Sequence, residues 1–182
     1  MRHGLITFFA ALGGVLVALF SFQLYGKFAT DRARAQADAE QQAKIKQGRQ
    51  LVERTIADER AVAAIRNDVA AASMARVAIT EYYMVNGRMP ASNAEAGLPG
   101  PETYKGQALR SMTVVQDGSM VLEFDATSGV EGGRIEWHPD LTGIESMGMQ
   151  WHCSTHDYAQ IARALPNCEY LPPSGADIGT GK

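Results

Sequence analysis

Residues 75–99, ARVAITEYYMVNGRMPASNAEAGLP, decide how this chain is read. The first half is helical in pattern. Val77, Ile79, Tyr82 and Tyr83 continue an apolar stripe begun by Val62, Ile65, Val69 and Ala72 at helical spacing, and such a stripe needs a surface to lie against. The second half stops the helix. Asn86-Gly87 supplies a C-terminal turn, and Pro90 discourages helix in the residues before it.

Upstream, from about residue 30 to 85, there is no proline, alanine is abundant and Gly48 is the sole glycine. DRARAQADAEQQAKIKQ is polar nearly all round and reads as a solvated helical stalk, held by propensity and by pairs such as Glu40 and Lys44 at i, i+4. Gly48 is the expected kink between the stalk and the apolar stripe. Further upstream, residues 5–24, LITFFAALGGVLVALFSFQL, carry no charge. As a helix they would span roughly 30 Å, the thickness of a bilayer core, and they predict a retained membrane anchor. A cleaved secretory signal fits less well, because no small-x-small site follows the run. Lys27, Arg32 and Arg34 lie after it and only Arg2 and His3 before it, so charge counting leans toward a cytoplasmic C-terminal side.

Downstream the signals change to short strands. ALRSMTVV (108–115) and MVLEFDA (120–126) flank QDGS, whose Asp-Gly suits a hairpin. GRIEWHP (133–139) and MGMQWHC ending at Cys153 add two more. Short connections favour an antiparallel sheet. Its apolar face is expected to hold Met112, Val114, Val121, Leu122, Phe124, Ile135, Trp137 and Trp151 under the helical stripe, an α+β unit in two layers. The last residues, PPSGADIGTGK, read as a flexible tail. The domain reading is therefore a short basic N-terminus (1–4), a transmembrane helix (5–25), a polar stalk (26–60), a globular domain (61–170) and the tail (171–182).

These motifs resemble the type IV pilins. In that family a Glu-Tyr-Tyr, an Asn-Gly, a Pro and a Ser-Asn-x-x-Ala-Gly follow one another, as do Glu81, Tyr82, Tyr83, Asn86, Gly87, Pro90, Ser92, Asn93, Ala96 and Gly97 here. YKGQALRSMTVVQDGSMVLEF is similar to the family's next strands. MQWHC…LPNC is similar to its last strand and disulfide loop, with Trp151 two residues before Cys153. The resemblance spans about residues 70–168. It implies a long helix on a small antiparallel sheet, a C-terminal disulfide loop and a place in the bacterial envelope.

The N-terminus departs from the family pattern. MRHG would serve as a leader cut between Gly4 and Leu5, but the fifth residue after that cut is Phe9 rather than the family's glutamate. From Leu24 to Glu81 the chain would run about 85 Å if wholly helical, farther than family members place their head from the membrane segment. The expected function is a structural or interaction protein, a minor or atypical pilin acting in pilus assembly, adhesion or motility. The competing reading is an inner-membrane regulator or decoy that binds pilus machinery, or blocks a pilus-dependent phage, without entering the filament. Expected partners are type IV pilins or pilus assembly proteins, the membrane, and other copies through the apolar helix and stalk. The expected location is the inner membrane, single-pass, with the head in the periplasm.

Cys153 and Cys168 are the only cysteines. In an oxidising periplasm such a pair most simply forms a disulfide. It would pin residues 154–167 to the sheet edge, and in pilins the corresponding loop contacts partners, making Ser154, His156, Asp157, Tyr158, Arg163 and Asn167 candidate interaction residues. Zinc held by His152, Cys153, His156 and Cys168 is an alternative, but the spacing matches no strong zinc pattern, and strand neighbours 152 and 153 point to opposite faces. A reactive thiol beside a histidine is a third reading. His138-Pro139-Asp140 reads as turn chemistry rather than acid/base machinery. There is no phosphate loop, dinucleotide fingerprint or nucleophile elbow, and a net charge of −3 shows none of the basic excess of a nucleic-acid binder. No enzyme, cofactor or metal is expected.

Overall fold

The computed structural model describes residues 2–173, with side chains described for Arg32 and from Arg34 onward. The chain divides into two compact units, residues 1–53 and 54–182. The first unit is helical, part of α1 (Arg2–Ala72). Its polar stretch carries the anticipated pair, Lys44 Nζ to Glu40 at 2.7 Å. Among the described residues no helix is long and apolar enough to cross a membrane; the anchor at 5–25 and the Gly4–Leu5 cut fall where side chains lie outside the described residues, as does most of the tail.

The helix does not break at Gly48, through which α1 runs on to Ala72. A lone glycine costs a helix only about 1 kcal/mol, and nothing there interrupts its hydrogen bonds. The break comes at Ser73, before α2 (Met74–Asn86). Ser73 Oγ donates to the Ala70 carbonyl at 2.6 Å, and Ser73 N–H bonds the same carbonyl at 3.2 Å, a tighter i→i−3 turn that ends one helix and restarts another. α2 ends as expected: Gly87 sits at φ 65° and its N–H bonds the Tyr83 carbonyl, the left-handed cap that glycine adopts without steric cost.

Five strands follow: β1 (Leu109–Val114), β2 (Met120–Phe124), β3 (Arg134–Asp140), β4 (Gln150–Thr155) and β5 (Cys168–Tyr170), paired in that order. A short helix α3 (Ile144–Met147) lies between β3 and β4. The first four strands are antiparallel, but β5 runs parallel to β4, with Cys153 opposite Cys168. The sheet is therefore mixed, not antiparallel as expected. Parallel neighbours need a crossover of a dozen or so residues, and the loop between Thr155 and Cys168 is that crossover.

Ile65, Val69, Ala72, Ala75 and Ile79 form one core with Met112, Val114, Leu122, Phe124 and Ile135. Each large side chain buried there stabilises the fold by about 1.5–3 kcal/mol. Trp137 and Trp151 are only half-buried at its margin, and Arg76 lays its guanidinium 4.4 Å from the Trp137 ring centre. Val121 belongs to the opposite face. Side chains alternate along a strand, so with Met120, Leu122 and Phe124 inward, Val121 must point out. Val77, expected in the stripe, is also exposed.

Two buried polar side chains tie the loop after α2 and the end of α1 to the edge of the sheet. Asn93 donates to the Pro99 and Met112 carbonyls and accepts from Val114 N–H, occupying part of the free edge of β1. Asp68, 4% exposed, accepts from the N–H groups of Gln107, Ala108 and Leu109 at 2.7–2.8 Å.

Candidate interaction surface

The crossover loop supplies the candidate surface. Cys153 and Cys168 are joined as a disulfide. Both sulfurs are thereby taken, which overturns the zinc and reactive-thiol readings of this stretch. His152 is exposed on the outer face of β4 while Cys153 is buried, as strand alternation requires.

The loop is held from beneath. Thr155 Oγ1 donates to the Arg134 carbonyl at 2.6 Å and accepts from Asp157 N–H, and Asp157 Oδ2 accepts from Arg134 N–H at 2.8 Å. Ile161 and Ala164 join the hydrophobic core. Arg66 reaches from α1 to the carbonyls of Arg163 (2.9 Å) and Ala164 (3.3 Å), while the Arg163 guanidinium pairs with Glu59.

Between α1 and this loop lies an open groove of about 270 Å³, with Ala61, Val62, Val130 and Ile161 at its floor and Asp58 and Asp157 at its rim. Of the residues singled out from the sequence, His156, Asp157, Arg163 and Asn167 are exposed, and Ser154 is half-buried on β4. Tyr158 corrects the expectation: it is 7% exposed. Its ring stands edge-on to Phe124 with centroids 6.1 Å apart, and its hydroxyl shares a 2.7 Å hydrogen bond with Ser128 Oγ. An aromatic ring with a partnered hydroxyl is more stable inside than on a wet loop.

Burial pushes the Tyr158 phenol up to about 12, and burial raises Tyr104 as well. An unfolded tyrosine ionises near 10, so the folded state holds the neutral form more firmly than the unfolded chain does. This contribution to stability is complete below about pH 10 and is lost as pH rises toward 12. Tyr158→Phe is expected to cost about 1 kcal/mol at pH 8 through the lost hydrogen bond, and to flatten the fall in urea midpoint between pH 8 and pH 11. An equally steep fall in the variant would show that Tyr158 is not the group responsible.

On the outer face of the sheet, His138 and His152 are cross-strand partners. Ser119 Oγ lies 2.9 Å from His138 Nδ1, Glu136 3.3 Å from its Nε2, and Asp140 3.1 Å from His152 Nε2. Asp140 also accepts the Thr142 N–H, and that bond, with the His152 contact, holds its carboxyl down at about 2. Ser119 is 1% exposed, so its hydroxyl is closed to a substrate. The His-Pro-Asp stretch caps a strand end and a turn.

Sequence reasoning missed Asp68, Arg66 and Ser128. Asp68 left a signal: it interrupts the stripe Ile65, Val69, Ala72 on its buried side, where an aspartate persists only with donors in reach.

Compared with known proteins, residues 60–174 match a family model described as Pilin (bacterial filament), well over half of the 182 residues. No curated protein matches the chain.

Proposed function

The chain belongs to the pilin family, and from that premise we propose that it is a membrane-anchored minor or atypical type IV pilin. In this reading residues 5–25 anchor it in the inner membrane, the head stands in the periplasm, and cleavage between Gly4 and Leu5 admits the chain to a filament used in assembly, adhesion or motility. The observation that carries the reading is the family match over the helix, mixed sheet and disulfide-closed loop. The uncharged run that precedes the stalk supports the anchor. Its pairs of small residues, such as Gly13 and Gly14, allow close approach of a neighbouring helix.

Phe9 favours a second reading. The family's glutamate at that place is thought to neutralise a neighbour's amino terminus, and an unpaired charge in hydrocarbon is costly. A chain without it suits an anchored regulator or decoy that binds pilus machinery from the membrane. Intact mass measurement without reductant, on sheared surface filaments and on membranes, separates the two. The filament reading expects a chain lacking residues 1–4 and two hydrogens in the sheared fraction. A full-length chain found only in membranes would replace it with the regulator.

A further inference from the structure

Among the described residues of the second unit, every Lys and Arg is exposed except Arg76. Its guanidinium lies 4.4 Å from the Trp137 ring centre and has no carboxylate or carbonyl acceptor among the described residues. Burial lowers its pKa below the ordinary arginine value. A cation drawn out of water without a counter-ion is costly, and an aromatic face offsets only part of that cost. Stacked on the ring, the planar guanidinium is also held in one orientation, so its N–H fork is set before any acceptor arrives.

Arg76 lines an open recess of about 410 Å³ beside the α1–α2 break, with Trp151 and Val77 as apolar neighbours and Ser73, Thr80 and Glu81 as polar ones. The volume falls within the roughly 300–1,000 Å³ of small-ligand sites. Both hydroxyl protons are committed: Ser73 Oγ donates to the Ala70 carbonyl at 2.6 Å and Thr80 Oγ1 to the Arg76 carbonyl at 2.8 Å. In this arrangement the two oxygens can meet a ligand only as acceptors. Glu81, which is exposed, adds a carboxylate that pairs with no cation among the described residues.

We propose that this recess binds an acidic sugar, one uronate ring within a polysaccharide. Its carboxylate would sit on the Arg76 fork and its C–H face on Trp151, with its hydroxyls donating to Glu81, Ser73 and Thr80. The inference concerns the head alone and does not rest on whether the chain enters a filament or stays anchored in the membrane.

The mix of groups selects this ligand. A carboxylate matches a guanidinium through two parallel N–H···O bonds. The negative face of an indole attracts the positively polarised C–H groups of a sugar ring. A phosphodiester or a fatty acid brings the anion but no donor for the oxygens of Glu81, Ser73 and Thr80. A neutral sugar brings the donors but leaves Arg76 without an acceptor. An open recess also suits a ring whose neighbours run past the rim better than a small molecule, which is held by enclosing most of its surface.

The test titrates the full-length chain, in a non-ionic detergent, with tetramers of galacturonate, mannuronate and guluronate. Trp137 and Trp151 are the chain's only tryptophans, and one underlies Arg76 while the other lines the recess, so their fluorescence reads occupancy. At least one tetramer should give a saturable change. Its methyl ester, which keeps the ring and removes the charge, should bind about tenfold more weakly, the effect of losing a charge-assisted contact. Arg76→Gln should lose a similar factor and Arg76→Lys, which keeps the charge without the fork, should lose less. Near-ultraviolet circular dichroism checks that the variants fold, and the comparison of acid with ester needs neither of them. No saturable change with any tetramer overturns the proposal, as does equal binding of acid and ester. A folded Arg76→Gln that binds like the unsubstituted chain overturns the site. A stronger response to single-stranded DNA or to oleate than to any tetramer overturns the sugar and assigns the recess to that anion.

Discussion

Replacing Asp68 with alanine is expected to be the most damaging single change in the head, costing at least about 3 kcal/mol. The carboxylate is buried and accepts three successive N–H groups, those of Gln107, Ala108 and Leu109. Alanine removes the acceptor and leaves these donors facing the side of a helix. A buried donor left without a partner costs about 1–3 kcal/mol. Asp68→Asn keeps one acceptor oxygen but turns an NH₂ group toward N–H donors, so an intermediate loss is expected. Gly106 gives an independent check on the same contact: a Cβ there would overlap the Asp68 carboxylate, so Gly106→Ala should disturb the same joint. Near-UV circular dichroism of Trp137 and Trp151 during thermal unfolding reads all three. An Asp68→Ala midpoint no lower than that of the exposed-site control Asp38→Ala would sink the assignment.

Loss of the disulfide is expected to cost a similar amount. Cys153 and Cys168 are 15 residues apart, and closing a loop of that size restricts the unfolded chain by about 3 kcal/mol. The folded loop has other ties, through Thr155, Asp157, Ile161 and the reach of Arg66. Cys153→Ser should therefore lower the unfolding midpoint and speed cleavage within residues 154–167, while the β1–β3 meander survives limited proteolysis. Protease resistance of the loop unchanged without reductant would mean that the packing of Ile161 and Ala164 holds the crossover alone. The groove beside the loop should lose its shape along with the staple.

Both predictions concern contacts between distant parts of the chain, and that is where sequence and structure divide. Local chemistry was legible. Asn86-Gly87 ended α2, Asp117-Gly118 turned β1 into β2, and the i, i+4 pair Glu40–Lys44 formed, because each depends on residues within a few positions of one another. Periodicity also placed Ile65, Val69, Ala72 and Ile79 against the sheet. Where local rules were applied loosely they misled: Val121 and Leu122 cannot share a face of a pleated strand, and Gly48 marks a break only if some competing hydrogen bond takes over, as Ser73 does 25 residues later.

The sequence by itself determined the order of the long helix and the first four strands, the family resemblance and most of the core. Tertiary structure alone decided that β5 returns parallel to β4, because strand direction depends on the path of the crossover rather than on the strand's residues. It also decided that Tyr158 faces inward onto Phe124 and Ser128, and that Asp68 meets donors 39 to 41 positions away. A polar side chain is stable in the interior only beside its complement, and here that complement comes from a segment that only folding brings near.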